Sequence, residues 1–475
     1  AGSDFDRLAV TVMGQTGGEV SSTVEAPRDP TAPVQSHTKH LLKVPGATAL
    51  IIGGVIGTGV FTLPSSLAPY GMLALVALVI VALGASSVGL LFAMLARRVP
   101  RAGGPYAYPH EVFGDLTGFT AAWSYWLTTA VGNAGIVVSW VFYVNAMFGW
   151  DSDNQARNFV IALVGLWVPV GINMIGLDHV RRFQVVTVIV KVIPLIFMAT
   201  VGIGYAIARW NFPAWNPSGG VPWEVVTTAG ALVLFIYLGV EDATSAAGRV
   251  ENPATTVPRA TIIGTLVCAV LYVLSTLAIF GLVPGSELTQ TGAPFSVAIQ
   301  EMTGIPWSGQ AIAFFAVVSG IGALNGLTLL VAEVPRAAAA DGIFPRIFTT
   351  ITKRDAPWVG LLTSAVLATA LVVISGLGSS GLSMFNTLIL ITGITSALPY
   401  FLTAMASMYL LLARGERPHP AALARDLAVT LVAAIFSIWC IVGSGIQPVI
   451  YAAILIAVGY VVYGLDRAKR RRTQM

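Results

Sequence analysis

The chain has 475 residues, of which 56% are apolar and only 10% charged, with a net charge of +4. A soluble globular domain carries about a quarter charged residues, so a cytosolic globule is excluded. At about 20 apolar residues per crossing the apolar content suffices for roughly twelve transmembrane helices.

Residues 1–43 are rich in Gly, Ser, Thr and Pro and lack a sustained apolar run. They predict a disordered tail, without the order of charged, apolar and small residues that marks a cleaved signal peptide. Twelve apolar segments follow, near 45–66, 71–95, 116–148, 158–177, 184–208, 225–247, 260–283, 310–334, 358–376, 384–412, 427–444 and 448–465. They are too long for core strands and lack the alternation of outer-membrane strands. Lipid offers backbone groups no partner, which leaves helices.

The predicted architecture is an all-α polytopic membrane protein with a twelve-helix domain over residues 44–466. Five helices fall in 45–208, five in 225–412 and two in 427–465, with a basic tail at 467–475. Because five is odd, the second group enters with opposite orientation, which predicts an inverted repeat. If the N-terminal tail is cytoplasmic, 23 of the 26 Lys and Arg residues fall in cytoplasmic loops and tails. That asymmetry predicts both termini in the cytoplasm of a cell membrane protein. It also explains the basic pI without a nucleic-acid partner. Trp150, Trp210, Trp215 and Trp223 fall at predicted outer ends, as interface anchors do. The two cysteines, Cys268 and Cys440, lie in apolar runs without paired spacing, so neither a disulfide framework nor a metal site is indicated.

Segment 1 carries Gly53-Gly54-Val55-Ile56-Gly57-Thr58-Gly59-Val60-Phe61 near its midpoint. No strand precedes it, so the nucleotide-loop reading fails its context. Close packing of small residues is one reading. Four glycines within seven residues, each costing a helix about 1 kcal/mol relative to alanine, favour a break in the span. The second half-helix would then offer unpaired N–H groups and the positive end of its dipole to a carboxylate. In segment 3, Tyr125-Trp126-Leu127-Thr128-Thr129 and Gly132-Asn133 are polar for lipid, although such groups usually only bond a neighbouring helix. Lys191, in segment 5, has two readings: it snorkels to the cytoplasmic face, or it points inward and bonds helix 1 carbonyls or substrate. Segment 6 carries Tyr237-Leu238-Gly239-Val240-Glu241-Asp242, a glycine beside two carboxylates. Intramembrane ionisable groups are functional by default, the alternative being that the span ends early and both sit at the interface. Segments 8 and 10 add Asn325-Gly326-Leu327-Thr328 and Thr392-Gly393-Ile394-Thr395-Ser396, and Glu333 reads as a solvated helix end. Segments 1 and 6 open the two five-helix groups, and breaks at corresponding places in two halves point to a transporter site.

With these motifs, residues 40–465 resemble the amino acid-polyamine-organocation transporter superfamily. The resemblance rests on Gly57-Thr58-Gly59-Val60-Phe61, Gly103-Gly104-Pro105-Tyr106-Ala107-Tyr108, Tyr125-Trp126 with Gly132-Asn133, and Gly239-Val240-Glu241. Glu251-Asn252-Pro253 through Val257-Pro258-Arg259 and Ala338-Ala339-Ala340-Asp341-Gly342 also match. Within the superfamily the chain is most similar to the basic amino acid/polyamine antiporter group, which includes the arginine/agmatine antiporter. The resemblance implies a LeuT-like fold with discontinuous helices 1 and 6. It implies substrate contacts from Gly57, Thr58, Gly59, Thr129, Asn133, Gly239 and Thr392, a gating role for Tyr125, and proton sensitivity at Glu241. Three positions depart from that antiporter: its substrate-stacking tryptophans fall at Phe235 and Leu327, and its helix 1 asparagine at Gly54. A guanidinium loses much of its cation-π partnering there. Lys191 instead resembles a helix 5 lysine of the L-type and proton-coupled branches.

The sequence therefore predicts a secondary transporter, antiporter or proton-coupled permease, for cationic amino acids or polyamines, with a neutral amino acid permease as the second reading. A channel or a non-transporting sensor is the reading from another class. All five histidines lie outside the spans, which leaves no nucleophile–base site, so no enzyme is expected. No cofactor or metal is implied. A small amino acid or amine, lipid, and as further readings protons and a second copy in a homodimer, are the partners.

Overall fold

The computed structural model describes residues 43–98, 104–175, 187, 189–241, 250–376, 380–413 and 420–474. The tail expected over residues 1–43 thus lies outside the described residues except for Lys43, as do Gly103 and Asp242.

Within the described residues, each of the twelve apolar segments contains helix. Segment 1 is a bent pair, α1 (Val44–Val55) and α2 (Gly59–Leu67). α3 (Leu73–Arg98) is segment 2, and a short α4 (Ala107–Phe113) leads into α5 (Asp115–Phe148). Then come α6 (Gln155–Ile175), α7 (Ile189–Arg209) and α8 (Pro222–Leu234). α9 (Pro253–Leu282) is followed by two short helices, α10 (Gly285–Leu288) and α11 (Pro294–Thr303). α12 (Ser308–Ala340), α13 (Trp358–Gly376), α14 (Gly381–Ala413), α15 (Pro420–Gly443) and α16 (Ile446–Gln474) complete the chain. Ten of these helices are long and apolar enough to cross a membrane, and the bent pair makes up to eleven. α8, extended to Tyr237, is apolar but too short to cross alone. The protein is thus an all-helical, multi-pass membrane protein. At the end of the chain, residues 467–474 of the basic segment continue α16 as helix.

α5 explains why a lipid-length segment can be so polar. In its most apolar window 94% of residues are buried inside the protein, so its hydroxyls and amides face other helices rather than lipid. It packs against α12 and α14. Its indoles fasten it: Trp140 Nε1 donates to the Val317 carbonyl of α12 at 3.0 Å, and Trp126 Nε1 to Ser364 Oγ of α13 at 2.8 Å. α16 lies at the other extreme, with 11% of its window buried, and Trp150, Trp210, Trp215 and Trp223 are all exposed.

Candidate functional site

α1 and α2 meet at an angle of 57°. Ile56 is extended, with ψ 104°, and closes α1 by donating its N–H to the Ile52 carbonyl. Helix ends leave backbone groups without intrahelical partners, and side chains from three other helices take most of the acceptors here. Lys191 of α7 donates from Nζ to the Gly53 carbonyl at 3.2 Å. Tyr272 of α9 lies with its hydroxyl 3.4 Å from the Val55 carbonyl and 3.5 Å from the Ile236 carbonyl, a long bond shared between the ends of both interrupted segments. Ser139 of α5 donates to the Thr58 carbonyl at 3.0 Å, and Tyr143 to that of Phe61 at 2.8 Å. The first N–H groups of α2 and the Thr58 hydroxyl, which is buried and without a partner, are what the break leaves over.

Segment 6 leaves helical geometry in the same region. Phe235–Tyr237 form a tight 3-10 turn, Leu238 is extended with ψ 140°, and Gly239 has φ +99°. That left-handed value is open to glycine and strained for other L residues. The turn brings the Gly239 N–H to Glu241 Oε2 at 3.1 Å. Tyr125 of α5 donates to Oε1 at 2.9 Å, and the Tyr400 hydroxyl of α14 bonds the same carboxyl group. Glu241 is 4% exposed, so these donors replace the water that a buried carboxyl group needs.

Phe235 lies between the two breaks. A Cβ added at Gly59 would sit 2.4 Å from its Cε1, so the ring rests directly on the start of α2. Gly132 and Gly135 of α5 border the ring on another side, and Phe385 of α14 meets it edge-on with centroids 6.2 Å apart. Thr392 touches Gly132 from α14. The Thr129 and Thr392 hydroxyls donate within their own helices, to Trp126 at 2.9 Å and Leu388 at 2.8 Å, which leaves their oxygens as acceptors. Asn133 is buried with its side-chain oxygen unpartnered.

Of the residues singled out in the sequence, the structure brings Gly59, Gly132, Thr392 and Phe235 into one cluster and Tyr125, Gly239 and Glu241 into another. Gly57 borders Ile136 and Ala323. Leu327 is half-buried against the main core, and no described hydrogen bond or ring contact joins it to Phe235. Lys191 is 1% exposed, so it does not snorkel. Glu333 pairs with Arg336 at 2.5 Å at the end of α12. Sequence reasoning missed Ser139, Tyr143, Tyr272 and Tyr400. The signal available was a tyrosine or serine inside a lipid-length apolar run, where a hydroxyl must find a partner.

The amino acid permease family profile matches residues 42–464. The chain belongs to the amino acid permease family. This permease is 30% identical over 417 residues to the putrescine transporter PotE of Haemophilus influenzae, covering 88% of this chain and 95% of that one. The Escherichia coli K12 putrescine transporter PotE is 29% identical over 419 residues, 88% and 94% of the two chains. A cadaverine/lysine antiporter of Escherichia coli K12 is 30% identical over 359 residues, 74% of this permease and 80% of that protein. The permease is thus a membrane transporter of the amino acid-polyamine-organocation superfamily, with affinity to its polyamine and basic amino acid antiporters, and not an enzyme.

Proposed function

We propose that this permease moves cationic amino acids or polyamines by alternating access, with the substrate held between the two interrupted segments. The observation that carries the reading is the pair of breaks itself: α2 starts at Gly59, segment 6 unwinds after Leu234, and the Phe235 ring of the second break rests on the start of α2. Gly57, Thr58 and Gly59 would receive a carboxylate at the N-terminus of α2. Gly239 and the acceptor oxygens of Thr129, Asn133 and Thr392 would receive an ammonium, with Phe235 and Leu327 against the carbon chain. Tyr125 and Glu241 would couple or gate, and Lys191 would hold α1. The names of the relatives support an amine substrate. Exchange or proton coupling would drive the cycle.

The twelfth crossing would be completed beyond Gly239, giving two five-helix repeats of opposite orientation over 45–208 and 225–412. The Lys and Arg asymmetry supports cytoplasmic termini in a cell membrane, which would put Trp150 on the outer face. A neutral amino acid permease is the second reading, favoured by apolar Phe235 and Leu327 at positions where the arginine/agmatine antiporter carries tryptophans. A competition panel of lysine, ornithine, arginine, putrescine, cadaverine and leucine against one labelled amine in proteoliposomes tests both. Competition by the cationic compounds and not by leucine supports the first reading. Free exchange of leucine with indifference to the cations overturns it.

A further inference from the structure

Two adjoining cavities open on the face where α5 ends and α6 begins, away from the two breaks. One has a volume of about 1340 Å³, between the ends of α5, α6, α12, α13 and α14. The other, about 430 Å³, lies between α2, the start of α14 and the α15–α16 junction. They share Thr289, Ser380 and Leu382 as lining, so they adjoin along one wall and together make a two-part chamber.

Its chemistry is one-sided. Among the described residues, the ionisable side chains on its walls are Asp151, Asp153 and Glu287, and no Lys, Arg or His lines either part. Arg157, in the first turn of α6, borders this wall with its charge turned back on the loop: it donates to the Asp151 carbonyl and lies over the Trp150 ring, 5.1 Å from its centroid. Deeper in the chamber Ser65, Ser66 and Ser296 are each more than nine-tenths buried, and their hydroxyls have no partner. The Asn386 side-chain oxygen on the same wall is unpartnered as well. Buried polar groups are ordinarily hydrogen-bonded, so several unspent acceptors facing one space point to a ligand that brings donors. Among the described residues, no three His, Cys, Asp or Glu side chains stand close enough together to hold a metal ion. The carboxylates therefore share a chamber without converging on a point. Separated negative charges with separate acceptors fit a ligand whose positive charges are also separated along a chain.

We propose that this chamber is a peripheral binding site for a linear di- or polyammonium ion, distinct from the site between the breaks. One ammonium sits among Asp151, Asp153 and Glu287, and another takes the acceptors of Ser65, Ser66 and Asn386. The choice of ligand rests on the amine-transport reading above; the site rests on the chamber. Because Ser65 and Ser66 belong to α2, an occupant touches the same half-helix whose first turn opens the central gap. The site gathers cations by its field and presents them to α2, the second half of segment 1.

The test uses the whole protein in nanodiscs for calorimetry with putrescine and spermidine, and in liposomes for uptake from the Trp150 face. The combined variant Asp151→Asn, Asp153→Asn and Glu287→Gln changes only exposed side chains, so it leaves the fold intact. It is expected to remove the weaker of two binding classes and to raise KM about tenfold at low salt, with the saturating rate unchanged. Glu224→Gln, an exposed carboxylate on the same face outside the chamber, should change neither. An isotherm and KM equal to wild type in the combined variant overturn the proposal, as does an equal shift in Glu224→Gln, which would reveal only general surface charge. Complete displacement of spermidine by equimolar Mg²⁺ would also overturn it, because a point ion would then own the site. If the wild type moves no diamine but loses a binding class in the combined variant, the peripheral site stands and the amine-transport reading falls. If diamine uptake is robust and the isotherm indifferent, the reverse holds.

Discussion

Gly59→Ala tests whether the start of α2 and Phe235 form one surface. The added Cβ would lie 2.4 Å from Phe235 Cε1 and 3.0 Å from Cδ1. Carbon atoms pack at about 3.5–4.0 Å, so the ring must retreat by about 1 Å. It has little room, because Gly132 and Gly135 border it from α5 and Phe385 from α14. Overpacking of this kind costs about 1–3 kcal/mol of stability, and because substrate binding at the start of α2 requires the ring to be displaced against the same neighbours, the same energy lowers substrate affinity roughly 5- to 150-fold at about 1.4 kcal/mol per decade. Shrinking the ring should relieve the strain, so Gly59→Ala with Phe235→Leu should lose less affinity than the two single changes added together. The assay is a double-mutant cycle on binding affinity by scintillation proximity, with thermal stability measured alongside. Wild-type affinity in Gly59→Ala, or strict additivity in the cycle, would show that the ring does not rest on α2 in the binding state.

Glu241→Gln keeps the shape of the side chain but turns an amide donor toward groups that already donate, the Tyr125 hydroxyl and the Gly239 N–H. It should cost about 1–3 kcal/mol of stability and flatten the pH dependence of transport; an unaltered pH profile would take Glu241 out of the coupling. Lys191→Met preserves volume and removes a buried ammonium that bonds Gly53. The Gly53 carbonyl loses its donor, which costs about 0.5–1.5 kcal/mol locally, while removing an ammonium from the interior offsets that cost for the fold as a whole, so the melting temperature should change little while turnover falls. A large fall of stability alongside activity would make Lys191 purely structural. Gly239→Ala meets φ +99° and should lose about 1 kcal/mol or more to backbone strain, read as a lower melting temperature; a wild-type melt would show that the turn at segment 6 relaxes freely.

What the sequence discloses is set by range. The apolar segments are local, and each maps to helix, because a run of lipid-compatible residues has no other way to satisfy its backbone. The breaks at Gly57-Thr58-Gly59 and at Gly239 are legible for the same local reason, the cost of glycine in a helix. The two readings of Lys191 are not separable from segment 5 alone, since only α1, far away in sequence, supplies the Gly53 carbonyl that it reaches. Glu241 shows the same limit: its donors come from α5 and α14 as well as from its own turn. The polarity of α5 reads as hesitation between lipid and protein until packing puts nearly all of the helix inside. The extension of α16 through Arg467 to Arg472 is hidden because charge density suggests a tail. Arg470 instead donates to the Gly342 and Phe344 carbonyls at 2.5 and 2.6 Å and so holds the helix against the α12 end.

The partners of the first break divide into two groups, and that division makes a mechanical prediction. α1 is held from one side, by Lys191 of α7 and by Tyr272 of α9, against which it packs. α2 is held by another set: Ser139 and Tyr143 of α5 reach the Thr58 and Phe61 carbonyls, and Thr62 donates to the Gly292 carbonyl at 2.9 Å, just before α11. The two halves share only the stretch Ile56–Thr58, so each can change its neighbours without dragging the other. Tyr272→Phe combined with Lys191→Met removes both side-chain donors to α1 and none to α2. Each lost hydrogen bond is worth about 0.5–1.5 kcal/mol, enough to speed local opening of α1 roughly 5- to 150-fold. Hydrogen exchange in nanodiscs should therefore rise in peptides spanning Val44–Val55 and stay at wild-type rates in Gly59–Leu67. Equal acceleration of both halves would mean that segment 1 opens as one rod, and the hinge at Ile56–Thr58 would lose its mechanical meaning.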